Sequence, residues 1–321
     1  MNTPALLRRL TTLSLLGSLA LCAPFGFAAE ATPVAPVPPA VPAPAALPVT
    51  VPAVVAIARP SPAEVAQAEA SLQKFVAQAD AATKTIFAKY PDLIAVRPPR
   101  AINPAVVPAL NPGFRVKHAA NVAIAQKGDI DLLFMGDSIT DFWRNTGAPD
   151  VVNPPRAGKA VFDKYYGAIK TANFGISGDT TQGVIFRLRD GEGQGFQPKA
   201  IMLMIGTNNA GVCSSAEIAE GVGAVVAELR QDFPAAKILL LGIFPRANPG
   251  DALRKTVLDV NPIIAKLHDG KNVFYLDIGA KFLDADGAIP ADIMADKLHP
   301  GEKGYEIWAE AVKEPLAELL K

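Results

Sequence analysis

Cysteine and histidine are scarce in this sequence of 321 residues, which contains two cysteines and three histidines. Cys22 lies in an N-terminal segment that we expect to be removed, so the mature protein keeps Cys213 alone and forms no internal disulfide. One thiol and three histidines also argue against a zinc site built from Cys and His ligands.

Net charge is absent as well, because 31 Lys and Arg residues balance 31 Asp and Glu residues. This balance predicts no binding surface for nucleic acid or for anionic membranes. Half of the residues are hydrophobic and 19% are charged, as in globular proteins. The chain is long enough for one large domain or two.

The N-terminus has the pattern of a signal peptide. Arg8 and Arg9 precede an apolar run over residues 10–23, and small residues suitable for cleavage follow at 26–28. The run is short for a membrane-spanning helix, so cleavage is favoured over anchoring and no stable membrane insertion is expected afterwards. We therefore predict a signal peptide over residues 1–28 and an exported protein, either periplasmic or secreted.

Composition divides the remaining chain into three parts. Residues 29–60 are rich in Pro and Ala and are predicted to be a disordered linker. Residues 61–128 are predicted to be a helical extension. In it, a capping box at Ser61 begins one amphipathic helix that reaches Tyr90 and is expected to pack on the main domain. Residues 129–321 are predicted to form that domain.

Short apolar runs alternate with helical patterns in the predicted main domain. Strands alternating with helices predict a parallel sheet covered by helices on both faces. In such sheets, ligands bind at the carboxyl ends of the strands, so polar residues just after a strand are candidate site residues. Five strands are predicted, starting near residues 131, 171, 200, 238 and 273.

Two polar segments of this domain supply a nucleophile and a base. Ser138 follows the first predicted strand, and its hydroxyl group needs a base to become a nucleophile. His299, just before the last helix, is the only histidine in the polar loops at this edge, and its ordinary pKa suits proton transfer near neutrality. Asp296 lies three residues earlier and can accept a hydrogen bond from the other ring nitrogen.

Two more loops supply hydrogen-bond donors for an anion. Gly178 follows the second strand and can present its backbone N–H, while Asn208 follows the third strand and can offer its side-chain amide. With the backbone N–H of Ser138 they form a possible oxyanion hole. Each residue alone also fits a turn or a helix cap. Four such segments at one predicted edge favour catalysis.

These four segments resemble the sequence blocks of the SGNH (GDSL-type) hydrolases. They are Gly136-Asp-Ser138, the Gly178 block, Gly206-Thr-Asn208 and Asp296-x-x-His299, in the order of that family. Residues 173–182 look especially like the catalytic subunits of platelet-activating-factor acetylhydrolase and their bacterial relatives. One departure is Ser177, where close relatives often carry Gly.

The resemblance implies a three-layer α/β/α, flavodoxin-like fold with a five-stranded parallel sheet, preceded here by an N-terminal helix. It implies no metal and no organic cofactor. It also implies that Ser138 is the nucleophile, His299 the base and Asp296 the residue that orients the base. The oxyanion donors would be Ser138, Gly178 and Asn208.

The function expected from sequence is that of an exported serine esterase acting on short acyl esters, chiefly acetyl esters, of small molecules or glycans. The alternative is a non-catalytic, tethered glycan-binding or scaffold protein on a hydrolase fold, which the Pro/Ala linker would suit. A nucleotide-binding function is disfavoured, because the Gly-rich residues 191–195 follow a helix and precede a strand, the reverse of the order that phosphate binding needs. The oligomeric state stays open.

Overall fold

A five-stranded parallel sheet forms the centre of the structure, a computed structural model that describes residues 49–146 and 156–321. The strand order is β2-β1-β3-β4-β5, and every neighbouring pair is parallel. The five predicted strands are thus confirmed. Their bounds are β1 (Leu132–Gly136), β2 (Thr171–Asn173), β3 (Ala200–Met204), β4 (Lys237–Leu241) and β5 (Val273–Leu276).

The central strands are apolar along their whole length because helices cover both faces of the sheet. All five residues of β1 and all five of β3 are buried. Successive side chains point to opposite faces, so Leu133 and Met135 join one hydrophobic core while Leu132 and Phe134 join the other. The predicted three-layer α/β/α architecture is therefore confirmed.

The helices divide between the two faces of the sheet. Helices α3, α6, α7 and α8 pack in one core, and α4, α5 and α9 pack in the other. Across the two described stretches, no helix has the length and apolarity needed to cross a membrane. The helices are α1 (Pro62–Gln78), α2 (Ala81–Lys89), α3 (Arg115–Ala125), α4 (Ser138–Asp141), α5 (Lys159–Tyr166), α6 (Thr181–Arg187), α7 (Ser215–Asp232), α8 (Ala252–Ile264) and α9 (Glu302–Leu319).

The end of the predicted linker is part of the folded structure. Val55 is buried in a hydrophobic core. The backbone N–H of Ile57 donates to Oε1 of the buried Glu220 on α7 at 2.6 Å, and Arg59 pairs with the same carboxylate at 2.8 Å. The prediction of disorder is therefore wrong for residues 49–60, because their few apolar and polar groups find partners on α7. The signal peptide and the rest of the linker lie outside the described residues.

The single helix predicted from Ser61 to Tyr90 is two helices. Asp80 ends the first by capping the second, since its Oδ1 accepts the backbone N–H of Thr83 at 2.8 Å. Neither α1 nor α2 contains a buried residue, so, against expectation, they add nothing to the core.

Candidate active site

A sharp turn at the end of β1 places Ser138 at the carboxyl edge of the sheet. A side chain at Gly136 would put its Cβ 2.2 Å from the hydroxyl oxygen of Thr140 and 2.4 Å from the carbonyl oxygen of Met204, so only glycine fits. The chain passes directly from the strand into α4, whose first residue is Ser138. A buried backbone thus holds a serine at the position where open α/β sheets bind ligands.

Ser138, His299 and Asp296 form a continuous line of hydrogen bonds. The Oγ of Ser138 lies 2.9 Å from Nε2 of His299, and Nδ1 of the same ring lies 2.7 Å from Oδ2 of Asp296. A carboxylate only accepts hydrogen bonds, so the ring proton belongs on Nδ1 and the lone pair of Nε2 faces Ser138. The structure therefore brings together the three residues that were predicted as nucleophile, base and orienting acid.

The turn that carries Asp296 and His299 holds the carboxylate with its own backbone. Oδ1 of Asp296 accepts the N–H of Leu298 at 3.0 Å and the N–H of His299 at 2.8 Å. Burial alone would raise the pKa of Asp296, but these N–H groups and His299 outweigh it, so the pKa is lowered. Lys297 between them has a φ of 57°, and its carbonyl accepts the N–H of Ala247 at 2.8 Å, which fixes the turn to the loop after β4.

The surroundings of His299 keep its ring neutral. Burial is the largest effect and lowers the pKa of His299; the hydrogen bond and charge of Asp296 oppose it, and the charges of Arg156 and Arg246 reinforce it. The net pKa is below the ordinary value for histidine. A neutral imidazole at neutral pH can accept a proton, as a general base must.

Asp137 lies beside Ser138 but in a different environment. Its Oδ1 accepts the N–H of Ile139 at 3.0 Å, and its Oδ2 is buried with no hydrogen-bond partner among the described residues. Burial raises the pKa of Asp137 to about 7. Burial therefore favours the uncharged carboxyl, and in that form it does not repel an anion forming at Ser138.

The loop after β2 is fastened to β1 and α4. The N–H of Ile176 donates to the carbonyl of Gly136 at 3.2 Å, and the N–H of Ser177 donates to Oδ2 of Asp141 at 3.1 Å. Gly178 follows with a φ of 85°, a conformation that favours glycine, and it is exposed. The loop thus holds the Gly178 backbone at the same edge as Ser138.

Asn208 is joined to this loop from the other side. Its Nδ2 donates to the carbonyl of Asp179, the residue after Gly178, at 2.7 Å. A side-chain amide has two N–H bonds, so one remains for another acceptor. Gly178 and Asn208 are therefore linked through Asp179. The side chain of Ser138 itself forms its hydrogen bond with His299.

Three residues near the line of hydrogen bonds were not found from sequence. Arg156 donates to Oδ2 of Asp296 at 2.9 Å, and the ring of Phe142 lies 5.0 Å from the ring of His299. Arg246 donates to the carbonyl of Thr207 at 2.9 Å and contributes to the electrostatics of His299. Nothing in their local sequence marks them, because only the fold brings them to the site.

Within residues 49–146 and 156–321, no cluster of three His, Cys, Asp or Glu could hold a metal.

Comparison with known proteins assigns the family. A model of the GDSL-like lipase/acylhydrolase family matches residues 134–307. The platelet-activating factor acetylhydrolase IB subunit alpha2 of Rattus norvegicus is 33% identical over 192 residues, covering 60% of this chain and 78% of the relative. The subunit of the same name from Gallus gallus is 31% identical over 232 residues, covering 68% and 93%.

Solved structures share the fold. A candidate platelet activating factor from Streptococcus pneumonia aligns with a TM-score of 0.51 and 20% identity, covering 63% of this chain and 92% of the other. A candidate acylhydrolase from Bacteroides fragilis gives a TM-score of 0.51 and 18% identity, covering 66% and 100%. The chain belongs to the GDSL-like lipase/acylhydrolase family. It is an ester-hydrolysing serine hydrolase.

The pKa values of His299 and His118 should be displaced in opposite directions from that of a free histidine. Burial lowers the pKa of His118 too, but the hydrogen bond and charge of Glu192 outweigh it and raise the pKa. We expect the ring signals of His299 in an NMR titration to change at a lower pH than those of an unfolded histidine, and those of His118 at a higher pH. A His299→Asn variant assigns the signals; a His299 that titrates above His118 would contradict this description of the site.

Proposed function

We propose that this protein is an exported serine esterase that removes short acyl groups, chiefly acetyl, from small-molecule or glycan esters. The observation that carries the proposal is the hydrogen-bonded line from Ser138 through His299 to Asp296. Family membership supports ester hydrolysis. The roles of the individual residues follow from their geometry and charge.

In the first half of the reaction, Ser138 becomes acylated. Its Oγ attacks the ester carbonyl while Nε2 of His299, 2.9 Å away, takes the hydroxyl proton. Asp296 stabilises the imidazolium through the Nδ1 hydrogen bond of 2.7 Å. The imidazolium then protonates the leaving alcohol as the carbon–oxygen bond of the ester breaks.

In the second half, water releases the acid. His299 removes a proton from water, the hydroxide attacks the acyl group on Ser138, and the imidazolium returns the proton to Oγ as the acyl–oxygen bond breaks. Both halves pass through a tetrahedral oxyanion. We assign its stabilisation to the backbone N–H groups of Ser138 and Gly178 and to the free amide hydrogen of Asn208.

The acyl and alcohol preferences rest on separate observations. The relatives whose names contain acetylhydrolase favour an acetyl group. Export favours esters found outside the cytoplasm, such as O-acetylated glycans, and the pattern of Arg8, Arg9 and the apolar run 10–23 favours export. A non-catalytic binding protein, the alternative suggested by sequence, is disfavoured because the predicted catalytic side chains are present and in contact.

Replacing Ser138 tests the reaction. Ser138→Ala should reduce hydrolysis of p-nitrophenyl acetate by roughly three orders of magnitude or more, because the nucleophile is lost. Wild type should prefer acetate to butyrate and octanoate, and a fluorophosphonate probe should label wild type but not the variant. Ser71→Ala, on exposed α1, is the control and should behave as wild type. Equal hydrolysis by wild type and Ser138→Ala would exclude the proposed nucleophile.

A pair of glycine variants tests the oxyanion hole. Gly178 and Gly270 both have positive φ, 85° and 65°, and a Cβ would have ordinary contacts at each. Replacement by Ala should destabilise both variants by about 1–2 kcal/mol through backbone strain. Only Gly178→Ala should also lower kcat, by roughly tenfold to a hundredfold, because its N–H is displaced. Thermal unfolding and ester kinetics measure the two effects; equal kcat in both variants would argue against Gly178 as a donor.

Export can be tested by the mass of the mature protein. When the full chain is produced in a bacterium with a general secretory pathway, we expect cleavage after Ala28 and recovery outside the cytoplasm. Replacing Arg8 and Arg9 with Glu should leave the uncleaved chain inside the cell. Recovery of the wild-type chain with residues 1–28 still attached in the cytoplasm would contradict export.

A further inference from the structure

Arg156 contacts the same carboxylate oxygen that holds His299. Its terminal nitrogen lies 2.9 Å from Oδ2 of Asp296, and Nδ1 of His299 lies 2.7 Å from that oxygen. The other oxygen, Oδ1, accepts the backbone N–H groups of Leu298 and His299. Four donors therefore surround the Asp296 carboxylate, which matches its capacity of about four hydrogen bonds and leaves it little freedom to rotate.

Arg156 also reaches His299 through an aromatic ring. Its guanidinium carbon lies 5.2 Å from the centroid of Phe142, and the ring of Phe142 lies 5.0 Å from the ring of His299. Arg156, Asp296 and His299 line one cavity of about 260 Å³. Arg156 thus touches the orienting acid directly and the proposed base through Phe142.

We propose that Arg156 is a positioning residue of the active site, which fixes the Asp296 carboxylate against His299 and, with Phe142, restricts rotation of the imidazole. This proposal rests on the proposed function. An ion pair at the surface contributes little to stability, but the side chains here are only 28% and 26% exposed and meet at a carboxylate with a second partner. Because Arg156 and His299 contact the same oxygen of Asp296, we expect Arg156 to act mainly on the orientation of the carboxylate and on the charge around His299, and less on the stability of the fold.

The charge of Arg156 gives a signature that a purely structural role would not. Burial, then Arg156 and Arg246, lower the pKa of His299, and Asp296 raises it. Removing the positive charge of Arg156 should therefore raise the pKa of His299. Asp296 would also lose its ion pair with Arg156, so its negative charge would stabilise the protonated ring more strongly and raise that pKa further. A general base must be deprotonated, so the acid limb of the kcat/KM profile should move to higher pH. Other charged residues lining the cavity are Asp292, Glu302 and Lys303.

The experiment compares Arg156→Gln and Arg156→Lys with a control, Arg97→Gln, in the full-length protein. Arg97 pairs with Asp92 in an exposed ion pair. We expect Arg156→Gln to lower kcat roughly tenfold through misplacement of the acid and base, with a smaller change in KM, and to move the NMR titration of His299 to higher pH. Arg156→Lys keeps the charge and should restore the titration and part of kcat. Arg97→Gln should match wild type.

Two results separate failure of this proposal from failure of the proposed function. If Ser138→Ala is inactive but Arg156→Gln keeps the kcat and the His299 titration of wild type, or changes only the melting temperature, the role of Arg156 is wrong and the serine mechanism stands. If Ser138→Ala hydrolyses esters as fast as wild type, the proposed function is wrong, and the role of Arg156 is wrong with it.

Discussion

The pairing of β1 with β3 is the interaction on which the active-site geometry depends. The two strands are parallel and in register up to Gly136 and Met204, so both end at the same edge of the sheet. In the order β2-β1-β3-β4-β5, the chain leaves β1 toward one side of the sheet and leaves β3 toward the other. A crevice opens between such diverging connections, and Ser138 and Asn208 follow the two strands that border it.

A buried cluster of charged side chains holds the loop that follows β2 at this edge of the sheet. The guanidinium of Arg187, fully buried on α6, pairs with Asp179 at 2.8 Å and also contacts Glu192. His118 of α3 contacts Glu192 at 2.8 Å, so the helix preceding the family domain belongs to the same cluster. Desolvation makes such clusters weak contributors to stability, but each member fixes its partners in direction. In this cluster Arg187 fixes Asp179. The carbonyl of Asp179 accepts a hydrogen bond from Asn208, and Gly178 is the preceding residue, so both proposed oxyanion donors are held in place.

The sequence predicted the strands and the residues of the four blocks because both depend on local patterns. A continuous apolar run is typical of a strand buried on both faces, and a polar residue after it must lie at the sheet edge. Arg156 could not be found in this way, since 140 residues separate it from Asp296 and only the fold makes them neighbours. Residues 49–60 were misassigned because composition describes the average of a segment, whereas Val55 and Arg59 are single residues with specific partners on α7.

The environment of each carboxyl group distinguishes the acid that orients the base from the one beside the nucleophile. Asp137 precedes Ser138 in the sequence, and Asp296 lies three residues before His299. Asp137 is fully buried with one unpartnered oxygen, which raises its pKa to about 7, whereas backbone N–H groups and His299 lower the pKa of Asp296. A carboxylate that stays charged can stabilise an imidazolium, and burial works against the charged form at Asp137. Contact geometry assigns the two roles, since Oδ2 of Asp296 lies 2.7 Å from Nδ1 of His299, whereas Oδ1 of Asp137 accepts the N–H of Ile139 and caps α4.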